Sequence, residues 1–213
     1  QEEQAKEMSF LTSALLIALF MIILIIVAQF NSLSTPFIIG FSVVFSLIGV
    51  FLGLVIFRMD FVILMTMIGI ISLAGIVVNN AIVLIDYTNL IRDRWREAEG
   101  MDEKAHLPWS RVVEAIVLGG KTRLRPVLLT AITTILGLLP LAIGLNIDFV
   151  SFVIDYDPKI YVGGDNNVFW KPMSWAIIFG LAFATFLTLV IVPIMYWFLN
   201  RLKYKLVYKM GTM

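Results

Sequence analysis

Five apolar runs dominate this sequence, and each approaches or exceeds the length needed to cross a bilayer. They occupy residues 10–30, 37–57, 61–91, 127–145 and 172–199, against the roughly 20 residues a helix needs to traverse a hydrocarbon core. None alternates apolar and polar residues with period two. Backbone surrounded by lipid must also satisfy its own hydrogen bonds, so the runs predict helices rather than strands. Composition agrees, with 60% hydrophobic and only 15% charged residues, where soluble domains carry roughly a quarter charged. The expected fold class is all-α integral membrane, a bundle of five transmembrane helices.

The breaks at residues 31–36 and 58–60 are too short for anything but tight turns between antiparallel helices. The chain then divides into a lead-in (1–9), three helices (10–91), a linker (92–126), a fourth helix (127–145), a loop (146–171), a fifth helix (172–199) and a basic tail (200–213). Positive charge orients it, because loops rich in Lys and Arg stay cytoplasmic. Eight of the sixteen basic residues fall within 92–125 and four within 200–213. Only Lys6, Arg58, Lys159 and Lys171 lie on the other side. The N-terminus is therefore expected outside and the C-terminus inside, on the cytoplasmic face. Glu2, Glu3 and Glu7 surround Lys6 where a secretory signal would be basic. An acidic start on Gln1 is expected of a piece of a longer chain.

Within the linker, Trp109, Val112, Val113, Ile116 and Val117 recur at helical spacing. They predict a short interfacial helix ended by Gly119-Gly120, with a solvated connector as the alternative. The 146–171 loop holds Phe149, Phe152, Tyr156, Tyr161, Phe169 and Trp170, suited to an interfacial belt. Val162-Gly163-Gly164-Asp165 reads as a turn, as in a hairpin. Asp155, Asp157, Asp165 and Asn166 have calcium-ligand chemistry, but their spacing matches no known calcium loop.

Polar residues inside membrane helices are costly and start as functional candidates. On the third helix Ser72, Gly75, Asn79 and Asp86 fall at steps of three, four and seven, which puts them on one face. Asn80 lies about 100° further round. Asn79 and Asn80 suit either hydrogen-bonded helix packing or a proton relay. Asp86, near the basic side, is expected to pair with Arg92 or a linker arginine. The fourth helix carries Thr130, Thr133, Thr134, Gly137, Pro140 and Gly144, with Arg123 and Arg125 at its cytoplasmic mouth. Threonines there commonly bond their own backbone. Close-packing positions are expected at Gly49 and Gly53, at Gly75, at Gly137, and at Gly180 and Ala184.

Several functions are excluded by what is missing. With no cysteine and a single histidine, His106, no thiol nucleophile, His-based triad or zinc cluster can be assembled. Gly119-Gly120-Lys121-Thr122 looks superficially like a phosphate loop, yet Ala115 stands where the leading glycine belongs. No cofactor motif appears, and a net charge of +1 points to no nucleic acid.

Taken together, the motifs resemble one family. Gly75-Ile-Val-Val-Asn-Asn-Ala-Ile-Val-Leu-Ile-Asp-Tyr87 is similar to the tenth-span signature of resistance-nodulation-division (RND) efflux transporters, nearest their hydrophobe/amphiphile exporter branch. Glu114-Ala115, the stretch from Arg123 to Thr130 and the Gly137-Leu-Leu-Pro-Leu141 motif resemble that family's linker and eleventh span. Val27 to Leu33 and Ser46 to Gly49 resemble its eighth and ninth. The resemblance covers nearly the whole chain, with the motifs in order.

It implies spans eight to twelve of a twelve-helix domain. The implied function is proton-motive-force-driven multidrug efflux by drug/proton antiport, in a secondary transporter rather than an enzyme. The implied partners are the remainder of its own chain, a homotrimer, a periplasmic adaptor, an outer-membrane channel and the lipid bilayer. Relay roles carry over to Arg123 and Thr130, and the acidic residue ending the tenth span matches Asp86. The family's relay lysine falls at Asn79, so this chain departs from the pattern there. Two other readings remain: a non-transporting membrane scaffold assembled through small-residue faces, and a related superfamily member exporting lipid or protein.

Overall fold

The computed structural model describes residues 2–30, 34–102, 107–148, 153–154, 156 and 159–210. Helices α1 (Glu2–Phe30), α2 (Ser34–Ile56), α3 (Ile63–Ala98), α4 (Trp109–Ile143) and α5 (Asp165–Met210) carry the five apolar runs. All five contain stretches long and apolar enough to cross a membrane. Two-residue strands β1 (Leu145–Asn146) and β2 (Tyr161–Val162) pair antiparallel between α4 and α5. Gln1, residues 31–33, His106, Phe149, Phe152, Asp155 and Asp157 lie outside the described residues.

α3 has 36 residues, or about 54 Å at about 1.5 Å per residue, well beyond a hydrocarbon core of about 30 Å. Its last turns, with Arg92, Arg94 and Arg96, therefore extend past the apolar zone. The helix stops where Gly100 turns left-handed (φ 63°). Met101 N–H then donates to the Arg96 carbonyl (2.9 Å) and Gly100 N–H to that of Glu97 (3.1 Å). These paired bonds satisfy carbonyls the helix end leaves open. α2 ends in the same way, with Arg58 rather than glycine at the left-handed position (φ 52°).

The linker differs from the expectation. No separate interfacial helix forms, because α4 runs unbroken from Trp109 through Gly119-Gly120 and Pro126 to Ile143. A capping glycine would turn left-handed, and neither Gly119 nor Gly120 has a positive φ. Gly119 instead serves close approach: a Cβ there would lie 2.5 Å from Thr88 Oγ1.

α5 packs against α2, α3 and α4, while α1 rests on α2 and α3. One apolar core, near the Arg- and Lys-rich end, joins Ile26, Ile38, Ile85, Leu107 and Tyr196. The other joins Val50, Leu73, Val77, Ala131 and Leu181. Gly49 and Gly53 of α2 receive the rings of Phe183 and Phe179. Gly180 lies where α2 and α3 both touch α5, against Val50 and Leu73, and Ala184 is buried nearby. Gly75 and Gly137 have no neighbour within this segment. A Cβ at either meets nothing within 4 Å, because both sit on exposed faces of α3 and α4.

The Gly163-Gly164 turn (φ 106° and 98°) is not the tip of a hairpin, since it follows β2 and leads into α5. Gly163 N–H donates to the Gly144 carbonyl (2.9 Å), and Asn146 Nδ2 donates to the Gly163 carbonyl (2.6 Å). Trp175 Nε1 ties α5 to the end of α4 by donating to the Ala142 carbonyl (2.9 Å).

Candidate functional site

The polar stripe on α3 faces outward. Ser72, Gly75, Asn79 and Asp86 are all exposed, while the opposite side of the helix is buried. Asn80 turns inward and is only 6% exposed. Among the described residues neither Asn79 nor Asn80 has a hydrogen-bond partner for its side chain. Each amide can donate and accept, so both retain their full capacity for whatever approaches this side.

α4 lies alongside α3 in antiparallel register. Thr88 meets Gly119, and the Arg123 guanidinium sits 4.3 Å from the centroid of the Tyr87 ring. From that contact Thr130 lies seven residues up α4, and Asn80 seven residues back along α3. Two helical turns cover about 10.5 Å on each helix. The register therefore sets Thr130 at the depth of Asn79 and Asn80. Thr130, like Asn79, is exposed.

The threonine hydroxyls bond within α4, as such residues commonly do. Thr130 Oγ1 donates to the Pro126 carbonyl (2.9 Å), and Thr134 Oγ1 to that of Thr130 (2.8 Å). Thr133 Oγ1 reaches the carbonyls of Leu129 (2.8 Å) and Thr130 (3.0 Å). Each hydroxyl oxygen still has acceptor capacity. Arg123 Nε is buried without a partner, leaving the ring of Tyr87 as the group that holds this cation among the described residues.

Asp86 does not make the expected pair. Arg92 reaches α5 instead, with Nη1 donating to Tyr196 Oη (2.7 Å) and Asn200 Oδ1 (3.4 Å). Tyr196 Oη in turn donates to Asn89 Oδ1. Asp86 faces a cleft of about 610 Å³ at this end of the bundle and forms no ion pair among the described residues. Sequence reasoning missed Tyr87, Asn89, Tyr196 and Asn200. The available signal was their polarity inside or beside apolar runs; their partners lie up to 108 residues away.

The chain matches the AcrB/AcrD/AcrF family over residues 1–148. It is 38% identical over 199 residues to the swarming motility protein SwrC of Bacillus subtilis, covering 93% of this chain but 16% of that protein. It is 30% identical to the multidrug resistance protein MdtC of Erwinia tasmaniensis, over 73% of this chain and 12% of that one. The cobalt-zinc-cadmium resistance protein CzcA of Cupriavidus metallidurans is 26% identical over 87% of this chain and 14% of its own length. The crystal structure of a heavy metal efflux pump superposes with a TM-score of 0.69 at 25% identity, covering 94% of this chain and 16% of the pump. The chain thus spans about one sixth or less of these relatives. It is a multi-pass membrane segment that belongs to the AcrB/AcrD/AcrF family of RND efflux transporters.

Proposed function

We propose that this segment supplies one side of the proton site of a proton-driven drug exporter. The observation that carries the reading is the uncovered face on which Asn79 and Thr130 sit at one depth, with Asn80 turned in beside them. Titratable groups are absent from that patch, so protons would bind on carboxylates elsewhere in the full-length transporter. Asn79 and Thr130 would orient those carboxylates by hydrogen bonds, and Arg123, parked on Tyr87, would supply the nearby positive charge. Asparagine carries no charge, so it acts here as a hydrogen-bonding group where the family has lysine. Protonation would then alter packing against α3 and α4 and drive substrate export. Asp86, at the far end of the stripe, would take part at the cytoplasmic mouth.

The proposed setting is an inner membrane, with the N-terminus periplasmic and the C-terminus cytoplasmic. The parent transporter would be a homotrimer working with a periplasmic adaptor and an outer-membrane channel. Drug export is favoured over metal export by the resemblance to the hydrophobe/amphiphile branch and by the higher identity to MdtC than to CzcA. The structural likeness to a heavy metal pump supports metal export as a second reading.

In the full-length transporter, Asn79→Ala and Thr130→Ala should reduce proton-coupled export to background while membrane expression stays at wild-type level. Export measured in cells and proton uptake measured in proteoliposomes would check this. Undiminished export by both variants would overturn the assignment. Running the same assay with dye and with divalent metal decides between the two substrate classes.

A further inference from the structure

The 610 Å³ cleft lies where one end of each of the five helices converges, with Arg92 and Arg96 of α3 and Lys203 of α5 among its lining residues. Its size falls within the roughly 300–1,000 Å³ of small-molecule sites, and its charges are unevenly paired. Arg96 and Asp93 form an ion pair with each other. Among the described residues Arg92 is anchored by the neutral groups Tyr196 and Asn200 and by no carboxylate, so its charge is fixed in place but not neutralised there. Lys203, which also lines the cleft, has no ion pair among the described residues, and neither does Asp86. Among the described residues, two uncompensated cations and one uncompensated carboxylate thus line one space. Trp109 and Tyr204, with ring centroids 5.9 Å apart, form an aromatic wall of the kind that sits at headgroup level.

We infer that this cleft binds the headgroup of a phospholipid carrying a primary ammonium. The phosphate diester would sit on Arg92 and Lys203, and the ammonium would donate to the carboxylate of Asp86. Basic pockets between membrane helices are established headgroup sites. The carboxylate adds selectivity: a primary ammonium can donate to it, whereas a quaternary ammonium has no proton to give. A headgroup with phosphate alone would leave Asp86 unpaired beside a second anion. The inference rests on membrane insertion and is independent of the exported substrate; its readout is lipid binding, so it stands or falls apart from the transport assay.

The test uses delipidated full-length transporter titrated with phosphatidylethanolamine, phosphatidylcholine or phosphatidylglycerol, with bound lipid counted by native mass spectrometry. Wild type should prefer phosphatidylethanolamine to phosphatidylcholine by about tenfold, the scale of one charge-assisted hydrogen bond. Asp86→Asn should remove that preference and leave phosphatidylcholine binding unchanged. Lys203→Gln should weaken both lipids severalfold. Both side chains are exposed, so the variants should fold, and unchanged melting curves would verify it. Arg92 is left intact because it ties α3 to α5. The inference is overturned if wild type lacks the preference, if it binds phosphatidylglycerol more tightly, or if either variant behaves as wild type. Displacement of the lipid by millimolar inorganic phosphate or phosphoethanolamine would also overturn it, by assigning the cleft to a soluble anion.

Discussion

At Gly180 the space for a side chain is already taken from two directions. A Cβ there would strike a Leu73 methyl and lie 2.7 Å from Val50 Cγ2 and 3.2 Å from the Ser46 carbonyl. The Leu73 methyl can rotate away, but the Ser46 carbonyl belongs to α2 and cannot. Overpacking of this kind costs about 1–3 kcal/mol. Gly180→Ala should therefore lower the thermal midpoint of the detergent-solubilised protein. Gly137→Ala should not lower it, since a Cβ there meets nothing within 4 Å and alanine is the better helix former. Light-scattering or fluorescence melts of the two variants check the contrast. Small residues at four-residue spacing announced Gly49, Gly53, Gly180 and Ala184 in advance. Gly75 and Gly137, named by the same rule, face outward here, because spacing says that a face is small without saying what lies against it.

Apolar length alone located the five helices, since lipid leaves a chain few ways to satisfy its backbone. Helix ends were less legible. Gly119-Gly120 read as a stop, yet α4 continues, because burial of Gly119 against Thr88 outweighs a propensity penalty of about 1 kcal/mol per glycine. The Arg92–Tyr196–Asn89 network was invisible because its members come from different helices and follow no local pattern. The register of α3 against α4 was equally hidden, and it can be tested directly. The sequence has no cysteine, so introduced pairs report without background. Asn80→Cys with Thr130→Cys should be bridged by a short bifunctional thiol reagent. Asn80→Cys with Gly137→Cys, two turns out of step, should not. Preferential bridging of the second pair would show the helices displaced along their axes.

Burial divides the whole molecule unequally. The most apolar windows of α2, α3 and α5 are 50%, 56% and 44% buried, while those of α1 and α4 reach only 11% and 17%. α2, α3 and α5 are the interior, and α1 and α4 flank it with apolar surface turned outward. Five crossings also put the two ends of the chain on opposite sides of the membrane. In intact cells, Glu3→Cys should react with an impermeant maleimide added outside the inner membrane. Arg201→Cys should react only after that membrane is permeabilised. Labelling of both from one side would contradict the five-span arrangement. The proton-site candidates are the least legible level: sequence named Asn79, Asn80, Arg123, Thr130 and Asp86, but on the proposed reading the groups they act on lie beyond this segment.

The glycine contacts of α2 and α5 also have a mechanical consequence. The rings of Phe179 and Phe183 occupy the notches left by Gly53 and Gly49, and Gly180 admits Val50 of α2 and Leu73 of α3. Such notches work as detents. α5 cannot slip along α2 by a fraction of a turn unless a phenyl ring is first lifted clear, which means prising the helices apart. Small displacements are therefore blocked and only whole-unit motion is cheap. The central trio would move as a stiff beam, leaving the flanks, α1 and α4, as the parts freest to shift against it.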